Sequence, residues 1–105
     1  MSRVEFEFSV PAGHPSLAGH FPGNPIVPGV LLLDQILRAL EQATGRSVTR
    51  LQQVKFVSTL FPGELAHGYW DLADSRASFR VSARRGGAEV KVAEGAGTVS
   101  TEVVR

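Results

Sequence analysis

Hydrophobic and polar residues alternate along several stretches of the chain, a spacing typical of β-strands that bury one face. The pattern predicts a strand over residues 4–10 and four further strands, over residues 48–61, 64–73, 77–84 and 88–99. Gly86-Gly87 lies between the last two strands and predicts a hairpin turn. Gly95 and Gly97 inside the last strand predict a bulge or a close backbone contact. Because the connections among the last four strands are short, we expect neighbouring strands to be antiparallel.

Between the first and second strands, the hydrophobic residues take a helical spacing instead. Apolar side chains recur every three or four residues from Val30 to Ala43, and Leu31 and Leu32 extend the apolar surface almost all round the first turns. A helix with so little polar surface is predicted to be buried. Pro28-Gly29 marks its start and Gly45 its end. The sequence therefore predicts an α+β architecture, with one central helix against an antiparallel sheet.

The segment that precedes the helix, residues 13–28, contains four prolines and several glycines. That density of helix and strand breakers predicts a loop. Loops of this length in small domains are usually functional or disordered. The prolines restrict the backbone and the apolar side chains between them can anchor it, so we predict an ordered loop.

The composition limits the classes of protein and partner. The 105 residues predict a single domain over residues 1–105, with a formal charge of +1 and no cysteine. No dense basic run is present, so nucleic acid is not an expected partner. The first ten residues do not resemble a signal peptide, and no apolar run is long enough to cross a bilayer. We therefore expect a soluble, cytoplasmic protein that does not contact membranes.

Two ionisable side chains are candidates for chemistry. His20 lies in the proline-rich loop, and Asp34 follows fourteen residues later among the leucines of the predicted helix. An imidazole suits general base catalysis at neutral pH, and a carboxyl group can supply or orient a proton. The alternatives are that His20 is a loop histidine bonded to backbone and that Asp34 is a solvent-facing acid early in a helix. His14 and His67 have no matching third ligand, so we predict no metal site. His67 lies on a predicted strand and is expected at the surface.

Three aromatic side chains lie on the predicted strands. We expect Trp70, Phe56 and Phe79 to belong to the core rather than to a ligand site, and the alternative is that one or two of them line a tunnel for the substrate.

The segment around these residues resembles a known family. The stretch HPSLAGHFPGNPIVPGVLLLDQI is similar to the signature of the 3-hydroxyacyl-(acyl carrier protein) dehydratases, and VKFVSTLFPGEL resembles the family's next block. The resemblance implies the hotdog fold, in which an antiparallel sheet wraps around a central helix. It also implies dehydration of 3-hydroxyacyl thioesters on acyl carrier protein to trans-2-enoyl thioesters, without a cofactor. The pathway implied is fatty acid synthesis or a related aryl polyene or polyketide-like assembly.

The resemblance assigns roles to individual residues. His20 matches the catalytic histidine and Asp34 the catalytic acid, and Gly29 matches the glycine whose N–H meets the thioester carbonyl. The neighbouring Phe21, Pro28 and Val30 are expected to contact substrate. In the family, the histidine of one protomer faces the carboxylate of the other, so a homodimer with two shared sites is implied, and a higher homo-oligomer is allowed.

Two other functions remain open at the level of sequence. Hotdog proteins also include acyl thioesterases, although these usually lack the histidine that matches His20. A non-catalytic subunit that pairs with another hotdog protein is the second alternative, and the presence of both His20 and Asp34 argues against it.

Asp34 differs from the residue of one branch of the resembled family. The dehydratase-only branch has Glu at this position, and Asp is typical of the branch that also isomerises the double bond. This residue alone does not assign the branch.

Overall fold

The computed structural model describes residues 2–11 and 26–100 as one helix and five strands. In chain order the elements are β1 (Ser2–Phe8), α1 (Gly29–Thr44), β2 (Val48–Phe56), β3 (Ala66–Ala73), β4 (Arg76–Arg85) and β5 (Ala88–Val99). The predicted succession of a strand, a helix and four strands is confirmed. The predicted ordered loop lies largely outside the described residues.

The strands form one antiparallel sheet in the order β1-β3-β4-β5-β2. The strands β3, β4 and β5 follow one another as hairpins, and Gly86-Gly87 makes the last turn with φ values of 60° and 81°. The two strands that flank the helix in sequence, β1 and β2, lie at opposite edges of the sheet. The antiparallel prediction is therefore confirmed for every neighbouring pair in the described sheet.

The helix α1 packs one face onto the sheet. Leu32, Ile36 and Leu40 are buried on that face, at the spacing of successive helical turns. Across the interface, Trp70 is fully buried and its indole Nε1 donates a 2.8 Å hydrogen bond to the carbonyl oxygen of Ile36. A ring of the sheet, Phe79, packs on Trp70 with 4.9 Å between ring centroids. The hydrogen bond from Trp70 therefore joins the backbone of α1 directly to the sheet.

The opposite face of α1 is exposed, contrary to the prediction of burial on nearly every side. Val30 keeps 84% of its surface exposed, and the side chains of Asp34 and Arg38 on the next two turns are 47% and 65% exposed. These three residues, at i, i+4 and i+8, form one stripe along the helix. The stripe is exposed because a single sheet layer covers a single side of a helix. Hydrophobic residues at the helix start therefore do not all reach the core of the protomer.

The second predicted strand is also shorter than expected, because β2 ends at Phe56 rather than continuing to residue 61. Its ladder with β5 ends at the pair Phe56–Ala93, and the N–H groups of residues 57 and 58 both bond to the carbonyl oxygen of Val92. The chain beyond is held by other backbone bonds, such as Val27 N–H to Leu60 O at 2.9 Å. Residues 57–65 are thus an irregular segment fastened beside the start of the helix.

Gly95 and Gly97 in β5 allow close backbone approach, as their positions inside a strand predict. A Cβ at Gly95 would lie 2.6 Å from the carbonyl oxygen of Gln53 and would also overlap the ring of Phe79. A Cβ at Gly97 would overlap the carbonyl oxygen of Arg50. The irregular register of β2 against β5 in this region brings those carbonyls close.

Candidate active site

The predicted site residues fall partly inside and partly outside the described structure. His20 and Phe21 lie outside the described residues. Pro28, Gly29 and Val30 form the start of α1, and Asp34 lies five residues after Gly29 on the same helix. The part of the candidate site that the structure describes is therefore the N-terminal half of α1 together with the residues that contact it.

Among the described residues, no side chain caps the N-terminus of α1. Pro28 occupies the N-cap position with φ −61° and ψ 146°, and it makes no side-chain hydrogen bond to the helix. The first turn contains no acidic residue. Leu32 N–H donates to the Pro28 carbonyl at 3.0 Å, so the N–H groups of residues 29–31 come before the first intrahelical bond. Together with the helix dipole, they offer hydrogen-bond donors to an oxygen that develops negative charge.

Gly29 leaves room for an aromatic ring beside those amides. A Cβ built at Gly29 would lie 3.2 Å from Cζ of Phe56, which is tighter than ordinary contact. The Cζ end of the Phe56 ring lies nearest to this space, and Phe56 is itself 51% exposed. The sequence predicted Phe56 to be a core residue more readily than a site residue, and that prediction is wrong in the protomer. Phe56 is the last residue of β2, and β2 lies at one edge of the sheet, where fewer neighbours cover a side chain.

Asp34 is bonded to the next turn of its own helix. Nε of Arg38 donates to Oδ2 of Asp34 at 2.8 Å, and both side chains are about half exposed or more. Among the described residues, Oδ1 of Asp34 has no hydrogen-bond partner. The carboxylate is therefore accessible from solvent and held from one side. Sequence reasoning missed Arg38, although its i+4 spacing from Asp34 is the signal that identifies such pairs.

The surface near the helix start is unusually apolar for an exposed region. Val57 follows Phe56 and is 46% exposed, and Val30 follows Gly29 and is 84% exposed. These residues adjoin β2, whose outer edge has no partner strand in the described sheet. Exposed apolar side chains beside a free strand edge are typical of a surface that another chain covers.

The remaining candidates lie away from this region. His67 is in β3, where its Nε2 lies 2.6 Å from Oε1 of Glu89 on an exposed part of the sheet. That agrees with its predicted surface position. Trp70 and Phe79 are core residues, as predicted. Within the described part of the chain, no three His, Asp or Glu side chains converge to hold a metal ion. The absence of a metal site stays a prediction, since His14 and His20 lie elsewhere.

One further property concerns the helices. Within residues 2–11 and 26–100, no helix combines the length and the apolar character that crossing a membrane requires.

Comparison with solved structures identifies the fold. A protein of uncharacterised function from Erwinia carotovora subsp. atroseptica superposes with a TM-score of 0.77 at 24% identity, over 93% of this chain and 82% of that one. The dehydratase heterocomplex ApeI:P from Xenorhabdus doucetiae gives a TM-score of 0.76 at 21% identity, over 92% and 86% of the two chains. A hexameric acyl-CoA thioesterase gives 0.63 at 16% identity, over 92% and 67%. At these identities the likeness establishes the hotdog fold alone, and it confirms the predicted fold.

Sequence comparison identifies the family. A 57-residue segment is 46% identical to the 3-hydroxyacyl-[acyl-carrier-protein] dehydratase FabZ of Klebsiella pneumoniae subsp. pneumoniae, covering 54% of this chain and 32% of the relative. The FabZ of Salmonella arizonae matches equally over the same extent. The matched segment thus spans about a third of the length of these relatives, 32%. The family model of the ApeI-like dehydratases matches residues 1–96. The chain belongs to the ApeI-like dehydratase family.

Proposed function

We propose that this protein dehydrates 3-hydroxyacyl thioesters carried on an acyl carrier protein, giving trans-2-enoyl thioesters in fatty acid synthesis or a related aryl polyene or polyketide-like assembly. Membership of the ApeI-like dehydratase family supports the reaction class. The similarity to FabZ supports an acyl-carrier-protein thioester as substrate. The reaction needs no cofactor, because an acidified C2 proton and accurate positioning suffice.

The observation that carries the proposal is the open start of α1 with a carboxylate on the same helix. Pro28 supplies no side-chain cap and the first turn contains no acidic residue, so within the described part of the chain no side chain competes with a substrate oxygen for these amides. Asp34 follows about 7.5 Å further along the helix axis, at about 1.5 Å per residue. That separation suits a thioester whose carbonyl oxygen lies at the amides and whose C3 hydroxyl lies nearer the carboxylate.

The chemistry divides among three groups. His20 takes the C2 proton as general base, and the electrons released place negative charge on the thioester oxygen. The Gly29 N–H stabilises that charge, and the missing side chain lets the carbonyl approach the backbone. The C2–C3 double bond then forms as the C3 hydroxyl leaves, with Asp34 delivering or orienting the proton that makes it water. Phe21, Pro28 and Val30 contact the acyl group around this centre.

The partner proposed for this site is a second copy of the chain. The histidine of one protomer would face Asp34 of the other, so that two sites form across a twofold axis. We assign the pairing edge to β2, because Phe56 and Val57 leave apolar surface exposed beside it. Burying such side chains in a dimer removes apolar area from water, which is the main favourable term in association. A higher homo-oligomer built from such dimers is compatible with this pairing.

The direct test is product analysis by mass spectrometry. The purified protein is incubated with 3-hydroxyacyl and trans-2-enoyl thioesters of an acyl carrier protein, and the acyl mass is followed. We expect loss of one water from the hydroxyacyl substrate and its addition to the enoyl substrate. His20→Ala and Asp34→Asn should each lower turnover by about 10²–10⁴-fold, the general scale for acid–base groups.

The alternatives give different products in the same assay. Release of a free acid from the carrier protein identifies a thioesterase. No reaction with any of the thioesters identifies a non-catalytic subunit. Unchanged turnover in both variants would contradict the assignment of His20 and Asp34 even if water is lost.

Sedimentation velocity tests the proposed assembly. We expect the wild-type protein to sediment as a dimer or a multiple of it, and Phe56→Asp to shift it toward the protomer by placing a charge at the apolar edge. Glu5→Ala, on the strand at the other edge of the sheet, is the control and should leave the assembly intact. A wild-type protein that sediments as a protomer would contradict the shared site.

A further inference from the structure

Arg38 is the described side chain that engages the candidate catalytic carboxylate. The guanidinium and the carboxylate are one helical turn apart, and their 2.8 Å contact joins Nε to Oδ2. Arg38 also lines the groove between α1 and β1, and its described hydrogen bond goes to Asp34.

The contact does little for the fold. Both partners are largely exposed, and exposed i,i+4 ion pairs contribute little to stability because solvent screens the charges. Neither side chain reaches the core that Ile36, Leu40 and Trp70 form on the other face of the helix. The contact does restrict where the Asp34 carboxylate lies, because Arg38 binds Oδ2 and does not occupy Oδ1.

Asp34 has few other constraints. It lies beyond the first turn of α1, so the amides of the helix start, which could orient an acid there, are out of its reach. An aspartate side chain on an exposed helix face samples several rotamers, and acid–base catalysis needs one of them. Arg38, one helical turn after Asp34, binds a single carboxylate oxygen and so favours the rotamers of Asp34 that allow this bond.

We propose that Arg38 is a positioning residue for the reaction, holding the Asp34 carboxylate with Oδ1 directed at the substrate. This inference rests on the proposed function and extends it to a residue whose role is exerted only through Asp34. Arg38 itself need not touch the acyl group. Its removal should slow the chemical step while leaving substrate affinity largely intact, since the groups that bind the thioester are unchanged.

The test is a double-mutant cycle on turnover, with the 3-hydroxyacyl carrier-protein thioester as the probe. The four proteins are wild type, Arg38→Gln, Asp34→Asn and the double variant. We expect Arg38→Gln to lower kcat by about 10-fold with KM changed less than about 2-fold, because a misplaced catalytic group costs rate rather than binding. In the Asp34→Asn background, the same substitution should have no further effect.

The matched control breaks a similar ion pair elsewhere. Arg3 binds Asp71 at 2.7 Å on an exposed part of the sheet, with a comparable exposure of 52% for the arginine. Arg3→Gln should leave kcat and KM unchanged in both backgrounds. Arg38→Lys keeps the charge but not the planar guanidinium, and it should fall between wild type and Arg38→Gln. If Arg38→Gln does not fold, the kcat and KM of Arg38→Lys in both backgrounds test the proposal instead.

The outcomes separate this inference from the function it extends. A wild-type protein without dehydratase activity overturns both. An active wild type with Arg38→Gln and Arg38→Lys at the wild-type rate overturns the positioning role alone. Equal loss in the wild-type and Asp34→Asn backgrounds also overturns it, because Arg38 would then act independently of Asp34.

Discussion

The two ends of α1 differ in how closely they pack against the rest of the protomer. At the C-terminal half, Ile36 and Leu40 are fully buried and Trp70 bonds to the helix backbone. Gly45, in a left-handed conformation, donates its N–H to the Glu41 carbonyl at 2.8 Å. At the N-terminal end, Val30 is 84% exposed and the N-cap residue Pro28 makes no side-chain hydrogen bond to the helix. The C-terminal half of α1 is packed against the rest of the protomer, whereas its N-terminal end keeps apolar surface exposed.

The same division appears in two arginine–carboxylate pairs. Arg85 binds both oxygens of Glu64, at 2.7 and 2.8 Å, and also donates to the Thr59 carbonyl, with its guanidinium over the ring of Phe61. Arg38 binds one oxygen of Asp34. The first pair fastens the irregular segment 57–65, and the second leaves a carboxylate oxygen accessible. The two arginines thus bind their carboxylates at similar distances, but Arg85 makes three hydrogen bonds to segment 57–65 and Arg38 makes one to Asp34.

The largest effect on stability should come from the packed end of α1. Trp70→Ala removes a fully buried ring and its hydrogen bond to Ile36, and it should lower the free energy of unfolding by about 3–5 kcal/mol. Trp70→Phe keeps most of the volume and separates the hydrogen bond from the cavity, with an expected loss of about 1–3 kcal/mol. Chemical denaturation followed by circular dichroism measures both. Equal values for the two variants would mean that packing around Trp70 contributes little.

A smaller and pH-dependent effect should come from Glu64. The hydrogen bonds from Arg85 are the main cause that lowers the pKa of Glu64 below its ordinary 4.5. A lowered folded pKa contributes stability that is present above the unfolded pKa and is lost as the pH falls through the folded one. Glu64→Gln should therefore lower the Tm by a few degrees at pH 7 and by less at pH 3.

The comparison with wild type at both pH values is the measurement for Glu64, using thermal scans at equal protein concentration. Asp74→Asn, at an exposed turn residue that none of the described ion pairs includes, is the control and should shift neither Tm. A Tm difference for Glu64→Gln that is constant with pH would contradict an ionic contribution.

Gly29→Ala tests the open end with a still smaller effect on stability. The added methyl group would lie 3.2 Å from the ring of Phe56, which is half exposed and can move aside. The free energy of unfolding should change by less than about 1 kcal/mol. Turnover should fall by about 10-fold or more, because the methyl group hinders approach of the thioester to the backbone. A large loss of stability with unchanged specific activity would mean that Gly29 is needed for packing rather than for the approach of the thioester.

Much of the fold follows from local pattern. The Phe6–Phe8 alternation, the glycine pair at 86–87 and the stop at Gly45 each predict a local structure that the chain adopts. The limits of β2 and the exposure of α1 did not follow, because they depend on which strand or layer lies opposite. Residue 57 continues an apolar pattern, but its N–H meets the Val92 carbonyl and the ladder ends there.

The candidate site divides in the same way. Gly29 and Asp34 were predicted as site residues from a motif, and their places on α1 agree with the predicted helix. Their catalytic roles, like that of His20, stay predictions. Phe56 and Arg38 were not identified as neighbours of the site. The contact between Phe56 and Gly29 joins residues 27 positions apart, which no local spacing encodes.

The sequence by itself determined the order and the approximate positions of the helix and the strands, and it carried the family motif, because periodicity and turn chemistry are local properties of the chain. Only the tertiary structure decided which apolar residues remain exposed, where β2 ends and which side chain lies beside Gly29. The physical reason is that burial and contact belong to pairs of elements. A single sheet layer covers one face of α1, and nothing within the helix specifies which of its hydrophobic residues that layer reaches.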